Sequence, residues 1–404
     1  MAAPQGILYY GGGDVGGYGQ AAIANVRALV NLGIPVRWVP LEWTPQSMRP
    51  STWATSEGKV RPLLNQRGEN GNLADMLALI EHTSRAIDYD TIVAHSPPEM
   101  WPQVFQTGKR NVGCTAWETD RAPAHWLPLL RRADCVIVPC ANNRQAFLRS
   151  GLRVPIAVIP HIRRHRWPDF TPSERVAARE DLGIRPGNRV FYSISAWDPR
   201  KALPDLIRTY ATAFMADEPV SLLIKTGRMG HDEGPLYPRR PARDLATRAI
   251  TRISAQLQRP PPHVVLHDEE VDADSLDLIH AVGDVYVSLS RGEGWGLGAF
   301  EAATLGKPVV MTAWGGQTEF LGTDWPGAVP CRMTPAPLWA PQQPSFFPSQ
   351  RWAEPDQDTA ARLLRAVFTD PAPAQDAAIS IRERIFREFS EPVVANRWLE
   401  VLSA

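Results

Sequence analysis

At 404 residues the chain exceeds the roughly 250–300 residues at which one hydrophobic core stops growing, so two domains are expected. Its 44% hydrophobic and 21% charged content is that of an ordinary globular protein. The balance of 43 basic against 43 acidic residues excludes a global field favouring nucleic acid or a charged membrane. Local basic runs (Arg131-Arg132, His161 to Arg166, Arg239-Arg240) read as solvated faces, although the last would suit an anionic lipid surface or a phosphorylated ligand. Cys114, Cys135, Cys140 and Cys331 lack metal-ligand spacing; Cys114 and Cys135 sit in apolar, strand-like contexts and read as reduced core residues, so a reducing cytoplasm is expected. No basic-then-apolar leader is present, and no apolar run approaches the ~18 residues of a membrane span. Any membrane contact is therefore expected to be peripheral, at the inner face.

Gly6 to Tyr10 reads as a short apolar strand followed by the glycine-rich stretch Gly11 to Gly19. Gln20 to Leu32 is a helix and Gly33 to Val39 the next strand, completing a βαβ unit. Gly11-x-Gly13-x-x-Gly16, with Glu42 after the second strand, also satisfies a dinucleotide-binding fingerprint, a weak signal when alone. Leu73 to Ile87 is a predicted helix and Thr91 to Ala94 a strand, with His95 in the loop at its carboxyl end. Asn111 to Ala116 is another strand, leading into Trp117, Glu118, Thr119 and Asp120. Ligands in open α/β sheets gather at such ends, which makes His95, Glu118 and Asp120 candidates to bind ligand hydroxyls, those of an acceptor if the chain transfers a group. A loop histidine is more often structural. Ala133 to Pro139 and Ile156 to Pro160 are strands flanking a helix, Ala141 to Gly151. The polar, proline-bearing stretch Pro168 to Pro186 marks a domain boundary.

The pattern then restarts. Arg189 to Ser195 is a strand, Ala196 to Lys201 a loop and Pro204 to Met215 a helix. Arg200 and Lys201, adjacent cations before a helix, suit a diphosphate: arginine as a bidentate fork, lysine as a point charge. Val220 to Gly227 and His263 to Glu269 are further strands with polar ends. Asp272-x-Asp274 has the spacing of a metal-binding pair but reads as an exposed acidic turn. Asp284 to Ser290 is a buried strand, and Leu297 to Leu305 a helix ended by Gly306. The intervening Arg291-Gly-Glu-Gly-Trp-Gly296 would let backbone N–H groups approach a phosphate at the helix N-terminus. Glu293 and Glu301 bracket this turn. A carboxylate repels a phosphate, so these two are better suited to accept hydrogen bonds from sugar hydroxyls. Arg228 to Thr247 and Arg332 to Pro355 read as surface excursions, and 376–402 as helical with a break at Phe389 to Pro392.

The Glu293/Glu301 pair within Gly292-Glu-Gly-Trp-Gly-Leu297, Phe300-Glu-Ala302 and Gly306-Lys-Pro-Val309 resembles the signature of the retaining glycosyltransferases of family 4. The resemblance implies a GT-B architecture: two Rossmann-like α/β domains facing a central cleft, with a C-terminal helix crossing back to the first. The expected domains are 1–172 on the acceptor side, 173–385 on the donor side and 386–404 as the returning helix. It also implies that Glu293 lies near the transferred sugar and Glu301 at the nucleoside ribose, with Arg200 and Lys201 on the diphosphate. Gly16 and Gly17, and the 294–297 segment (Gly294, Trp295, Gly296, Leu297), would complete the donor site. The family's histidine motif is replaced here by Trp117-Glu118, so that role does not carry over.

The activity so implied is a hexosyl transfer with retention from a UDP- or GDP-linked sugar to a glycan, lipid-linked or other hydroxyl acceptor, in polysaccharide or glycoconjugate synthesis. Glu293, Lys201 and Arg200 would be the catalytic groups. Fixed cations and helix-end amides would neutralise the leaving diphosphate, so neither a metal nor a resident cofactor is expected. Two alternatives stand: a GT-B sugar-nucleotide epimerase using the same donor, and a nicotinamide-dependent oxidoreductase acting through Gly11–Gly16.

Overall fold

A computed structural model describes residues 4–13, 16–43, 48–50, 72–164, 167–232, 238–338 and 345–404. The chain divides into unit 1, residues 1–167 with 386–404, and unit 2, residues 168–385.

Unit 1 is built on a seven-stranded sheet. Its strands are β1 (Ile7–Gly12), β2 (Val36–Trp43), β3 (Met48–Pro50), β4 (Thr91–His95), β5 (Arg110–Cys114), β6 (Cys135–Val138) and β7 (Ile156–Val158), in the order β3-β2-β1-β4-β5-β6-β7. All neighbours are parallel except β2 and β3. Parallel strands covered on both faces must be apolar throughout, and β4 and β6 are buried at every position. The helix Gly17–Asn31 crosses from β1 to β2. A Cβ on Gly11 would lie 2.8 Å from the Tyr9 ring and 2.9 Å from the Ala22 Cβ. The first glycine of the dinucleotide fingerprint is thus inside β1, where close packing accounts for it. Residues 14–15 of that fingerprint, the side chain of Glu42 and residues 165–166 of the basic run lie outside what is described.

The helix Asn72–Thr83 is shorter than its apolar pattern predicted, and Ala141–Arg149 stops just before the expected glycine. The C-terminal helix Glu391–Ser403 belongs to unit 1. Its Trp398 is fully buried beside Tyr9 and directs its indole N–H to Asn25 Oδ1 at 3.3 Å. Arg110 donates to the carbonyls of Val401 and Leu402. Burying a tryptophan and pairing two helix-end carbonyls holds this last segment in place.

Unit 2 carries β8 (Arg189–Ile194), β9 (Val220–Lys225), β10 (Met229–His231), β11 (Arg239–Pro241), β12 (His263–His267), β13 (Val285–Ser288), β14 (Val309–Thr312), β15 (Ala328–Val329), β16 (Cys331–Pro335) and β17 (Arg351–Pro355). Six of these form a parallel sheet in the order β12-β9-β8-β13-β14-β15; β10/β11 and β16/β17 are antiparallel pairs. The helix Leu203–Ala213 packs its buried Leu203, Leu206, Ile207 and Tyr210 with Phe191, Leu222 and Val287 from the sheet.

Three stretches hold local structure that their sequence reading left out. The stretch from Pro168, read as a polar boundary, contains the helix Pro172–Asp181, started by a capping box in which Thr171 and Glu174 bond reciprocally. Arg179 of that helix donates to the Val282 carbonyl and to Asp284, which places the stretch in unit 2. The two excursions are ordered where described. Residues 228–247 contribute β10, β11 and the start of the helix Ala242–Leu257, and 332–355 contribute β16 and β17. Their residues 233–237 and 339–344 are not described. The acidic turn is also local structure: Asp272 caps the helix Ala273–Val282, accepting from the Ser275 N–H at 2.9 Å.

Candidate functional site

The site in unit 2 gathers at the carboxyl ends of β8 and β13, which are neighbours in the sheet. After β8, the loop through Trp197, Asp198 and Pro199 delivers Arg200 and Lys201. The Lys201 N–H is held by the Asp198 carbonyl and carboxylate, both at 3.0 Å. Ala202 then adopts φ 51°, a left-handed backbone that a non-glycine residue rarely holds, before the helix Leu203–Ala213 begins. After β13, the Ser290 hydroxyl contacts the Gly292 carbonyl at 3.1 Å, and the Arg291 N–H donates to the Arg200 carbonyl at 2.7 Å. The two loops are stitched backbone to backbone.

Across that seam lies a buried ion cluster. Lys201 Nζ is 2.5 Å from Glu293 Oε1, and Arg200 is 3.7 Å from Oε2 while donating to the Gly292 carbonyl at 2.6 Å. The three side chains are only 15%, 16% and 11% exposed for Arg200, Lys201 and Glu293. Burial pushes the Glu293 carboxyl up, but Lys201 and Arg200 outweigh it and hold the group below the ordinary carboxylate range. The pair of cations foreseen for a diphosphate is therefore matched by the carboxylate foreseen for the sugar.

The turn that follows depends on two glycine positions. Gly296 sits at φ 92° as the N-cap of the helix Leu297–Thr304, and no side chain caps that terminus. Gly316, in the loop after β14, lies so close that a Cβ there would meet the Gly294 carbonyl oxygen at 2.3 Å and the Trp295 Cα at 2.4 Å. Its N–H bonds the Glu293 carbonyl at 2.8 Å. Trp295, expected in donor binding, turns inward: it is 4% exposed and packs on the rings of Phe300 and Phe320 at 5.1 and 5.2 Å. Its side chain anchors the loop, which leaves only its backbone to face a ligand. Glu301 lies one and a half turns into the helix, its carboxylate 3.3 Å from His280 Nε2.

Several contributors were not foreseen. Arg291 is 9% exposed and bonds Asp205, Glu354 and the Pro199 carbonyl, joining the loop after β8, the loop after β13 and β17. His280 and Tyr192, both in apolar surroundings, gave no motif. The Gly315-Gly316 doublet did carry a usable signal, a strand followed at once by paired glycines.

Unit 1 has its own cluster at the carboxyl ends of β1, β4 and β5. Gly16 and Gly17 are exposed at the start of the helix Gly17–Asn31. Tyr18 bonds Thr115 Oγ1 at 2.9 Å, accepts from the Ala116 N–H at 3.3 Å and stands edge-on to His95 at 5.6 Å. His95, an expected acceptor ligand, is a core residue, 5% exposed and bonded to the Tyr9 hydroxyl at 2.8 Å. Burial, with His161 nearby, pulls its pKa down to about 3, so the ring is neutral. Glu118 and Asp120 are partly exposed in the loop beyond β5. Among the described residues no group of histidine, cysteine, aspartate and glutamate is placed to hold a metal, and no helix is long and apolar enough to cross a membrane.

With this geometry in hand, residues 230–396 match the family described as "Family 4 Glycosyltransferase in conflict systems". Over that stretch the chain is similar to family 4 glycosyltransferases. The matched stretch contains Glu293 and Glu301 but not Arg200 or Lys201. The chain is 34% identical over 148 residues to D-inositol 3-phosphate glycosyltransferase of Mycolicibacterium vanbaalenii, covering 36% of this chain and 31% of that protein. It is 30% identical over 150 residues to trehalose synthase of Pyrococcus horikoshii, covering 37% and 33%. The alignments thus span about a third of these relatives. In fold the chain is similar to HepE of Anabaena, in complex with UDP and glucose, at TM-score 0.62 and 17% identity over 99% of each chain. Sucrose-phosphate synthase of Thermosynechococcus elongatus gives TM-score 0.62 at 19% identity, over 99% of this chain and 98% of that one. The architecture is GT-B.

Proposed function

We propose that the protein transfers a hexose from a nucleoside-diphosphate sugar, UDP- or GDP-linked, to a hydroxyl acceptor on a glycan, lipid-linked or other glycoconjugate, with retention at the anomeric carbon. The observation that carries this is the Lys201–Glu293–Arg200 cluster beside an uncapped helix N-terminus, with Glu301 further along the same helix. Two fixed cations and helix-end amides supply the charge stabilisation a departing diphosphate needs, with no metal ion in the scheme. In this reading the C1–O bond to the diphosphate breaks and the acceptor oxygen bonds to C1 on the same face. The acceptor proton passes to the leaving phosphate. Glu293 orients the sugar hydroxyls and Glu301 the ribose; Gly16 and Gly17 contribute to the donor site, and the 118–120 loop serves the acceptor. HepE, a fold neighbour, was seen with UDP-glucose, which makes that donor the first to try. Because the matched family is described from conflict systems, we read the product as a glycan or glycoconjugate made or altered in such a system.

The test is a thermal-shift screen against UDP, GDP, ADP, dTDP, their common sugars and NAD(P)H. A ligand that binds only the folded state raises the melting temperature by mass action. A shift with a nucleoside diphosphate that Glu301→Ala and Lys201→Ala both weaken supports the donor site. A shift with a nicotinamide nucleotide alone refutes it. Conversion of the donor sugar without any acceptor would replace transfer by epimerisation.

A further inference from the structure

Glu301 does not stand alone in the helix Leu297–Thr304. His280, on the helix Ala273–Val282, is completely buried, with Nε2 3.3 Å from Glu301 Oε2 and Nδ1 2.9 Å from the hydroxyl of Tyr192. Tyr192, on β8, is equally buried and stands edge-on to the imidazole at 5.5 Å and to Tyr286 at 5.3 Å. A Cβ on Gly283 would lie 2.2 Å from the Tyr192 ring, so the glycine ending the His280 helix is what admits that ring. Three elements thus converge to form one line: Tyr192, His280, Glu301. Only the last is partly open, its side chain 14% exposed.

The direction of this line follows from chemistry. If Nδ1 carried the proton and gave it to Tyr192, the bare Nε2 lone pair would face a carboxylate oxygen, two acceptors in a buried space. With the phenol donating to Nδ1, the proton on Nε2 is the one that faces Glu301 Oε2, at ion-pair distance and not in a formed hydrogen bond, and no two acceptors are opposed. Burial keeps the phenol protonated, its pKa raised well above the ordinary tyrosine value. The role resembles second-layer orientation elsewhere: a buried partner fixes a carboxylate through one oxygen and leaves the other for the ligand.

We propose that His280 is a positioning residue for the nucleotide's ribose: held in its Nε2–H form by Tyr192, it anchors Glu301 Oε2 so that the carboxylate meets the ribose hydroxyls. This rests on the donor site proposed above.

The test is calorimetric binding of UDP and GDP beside their 2′-deoxy and 3′-deoxy forms, with inorganic pyrophosphate as a control. The proteins are wild type, Glu301→Gln, His280→Gln, Tyr192→Phe and the double variant His280→Phe with Tyr192→Phe, which leaves no buried hydroxyl orphaned. The double variant is expected to weaken the ribonucleotide about tenfold while leaving the deoxy forms and pyrophosphate unchanged. His280→Gln, with an amide N–H where Nε2 stands, restores most of the discrimination. Equal loss for ribo and deoxy forms, or loss of pyrophosphate binding, would make His280 merely structural and overturn the proposal. If Glu301→Gln leaves discrimination intact, or wild type binds neither nucleotide, the donor-site reading falls and this inference with it. If Glu301→Gln abolishes discrimination but the double variant keeps it, the inference alone is wrong. Should the double variant not fold, the imidazole nitrogen resonances of the wild-type protein decide: protonated Nε2 supports the line, protonated Nδ1 refutes it.

Discussion

Replacing Glu293 by glutamine should lower stability and raise diphosphate affinity together. The carboxylate lies 2.5 Å from Lys201 Nζ and 3.7 Å from Arg200, and all three side chains are at most 16% exposed. At an effective dielectric of about 20 these contacts correspond to about 7 and about 4 kcal/mol of gross attraction, most of it offset by desolvation of the ions. Removing one partner of a buried pair costs about 3–5 kcal/mol, because the other charge is left uncompensated. Glutamine keeps an acceptor for Lys201, and Arg200 retains the Gly292 carbonyl, so about 2–3 kcal/mol is expected here. In a unit of this size that lowers the melting temperature by about 5–10 °C. The unmasked cations should then bind UDP or pyrophosphate about tenfold more tightly, 1.4 kcal/mol, while sugar transfer falls because its orienting group is gone. Differential scanning fluorimetry and titration calorimetry at one fixed salt concentration read both effects. An unchanged melting temperature, or an affinity that falls along with stability, would refute the idea that Glu293 shields the diphosphate cations.

Three further outcomes follow from the same geometry. Gly316→Ala places a methyl group against the Gly294–Trp295 backbone, which cannot give way as a flexible side chain would; a loss of at least about 2 kcal/mol and of nucleotide binding is expected, whereas equal binding would show that the loop is free to move. Arg291→Met strips Asp205 and Glu354 of their shared cation and should cost about 3–5 kcal/mol by denaturant unfolding. Arg291→Lys should recover only part of this, since one ammonium cannot replace a planar fork spanning three acceptors. Finally, His95 and His161 have folded-state pKa values pulled down by burial to about 3 and about 4, from the usual 6.5. Between those values and 6.5 the unfolded chain binds more protons, so stability should rise with pH through this window and be lost on acidification below about 6.5. His95→Gln should flatten that slope; a slope unchanged in the variant would show that the ring is not the titrating group.

Much of this protein is legible in order along the chain. Strand and helix positions follow from apolar periodicity, as in β4 and Leu203–Ala213, because hydrogen bonding and burial of such elements are set by near neighbours. Stretches read only as a boundary and as an acidic turn also carried local signals: Thr171 with Glu174 spells a capping box, and Asp272 with Ser275 spells a helix cap. The Glu293–Glu301 spacing places both carboxylates on one strand–loop–helix turn without reference to anything else. What sequence does not contain is which side chains meet across the sheet. Lys201 and Glu293 are 92 positions apart and touch because β8 and β13 are neighbours in the sheet. The same adjacency brings Arg291 to Pro199 and Tyr192 to His280, while Phe300 and Phe320 hold the Trp295 indole in the core. Local propensities act over a few residues, whereas these contacts depend on strand order and on how the packed loops exclude water, and those arise only when the whole unit closes.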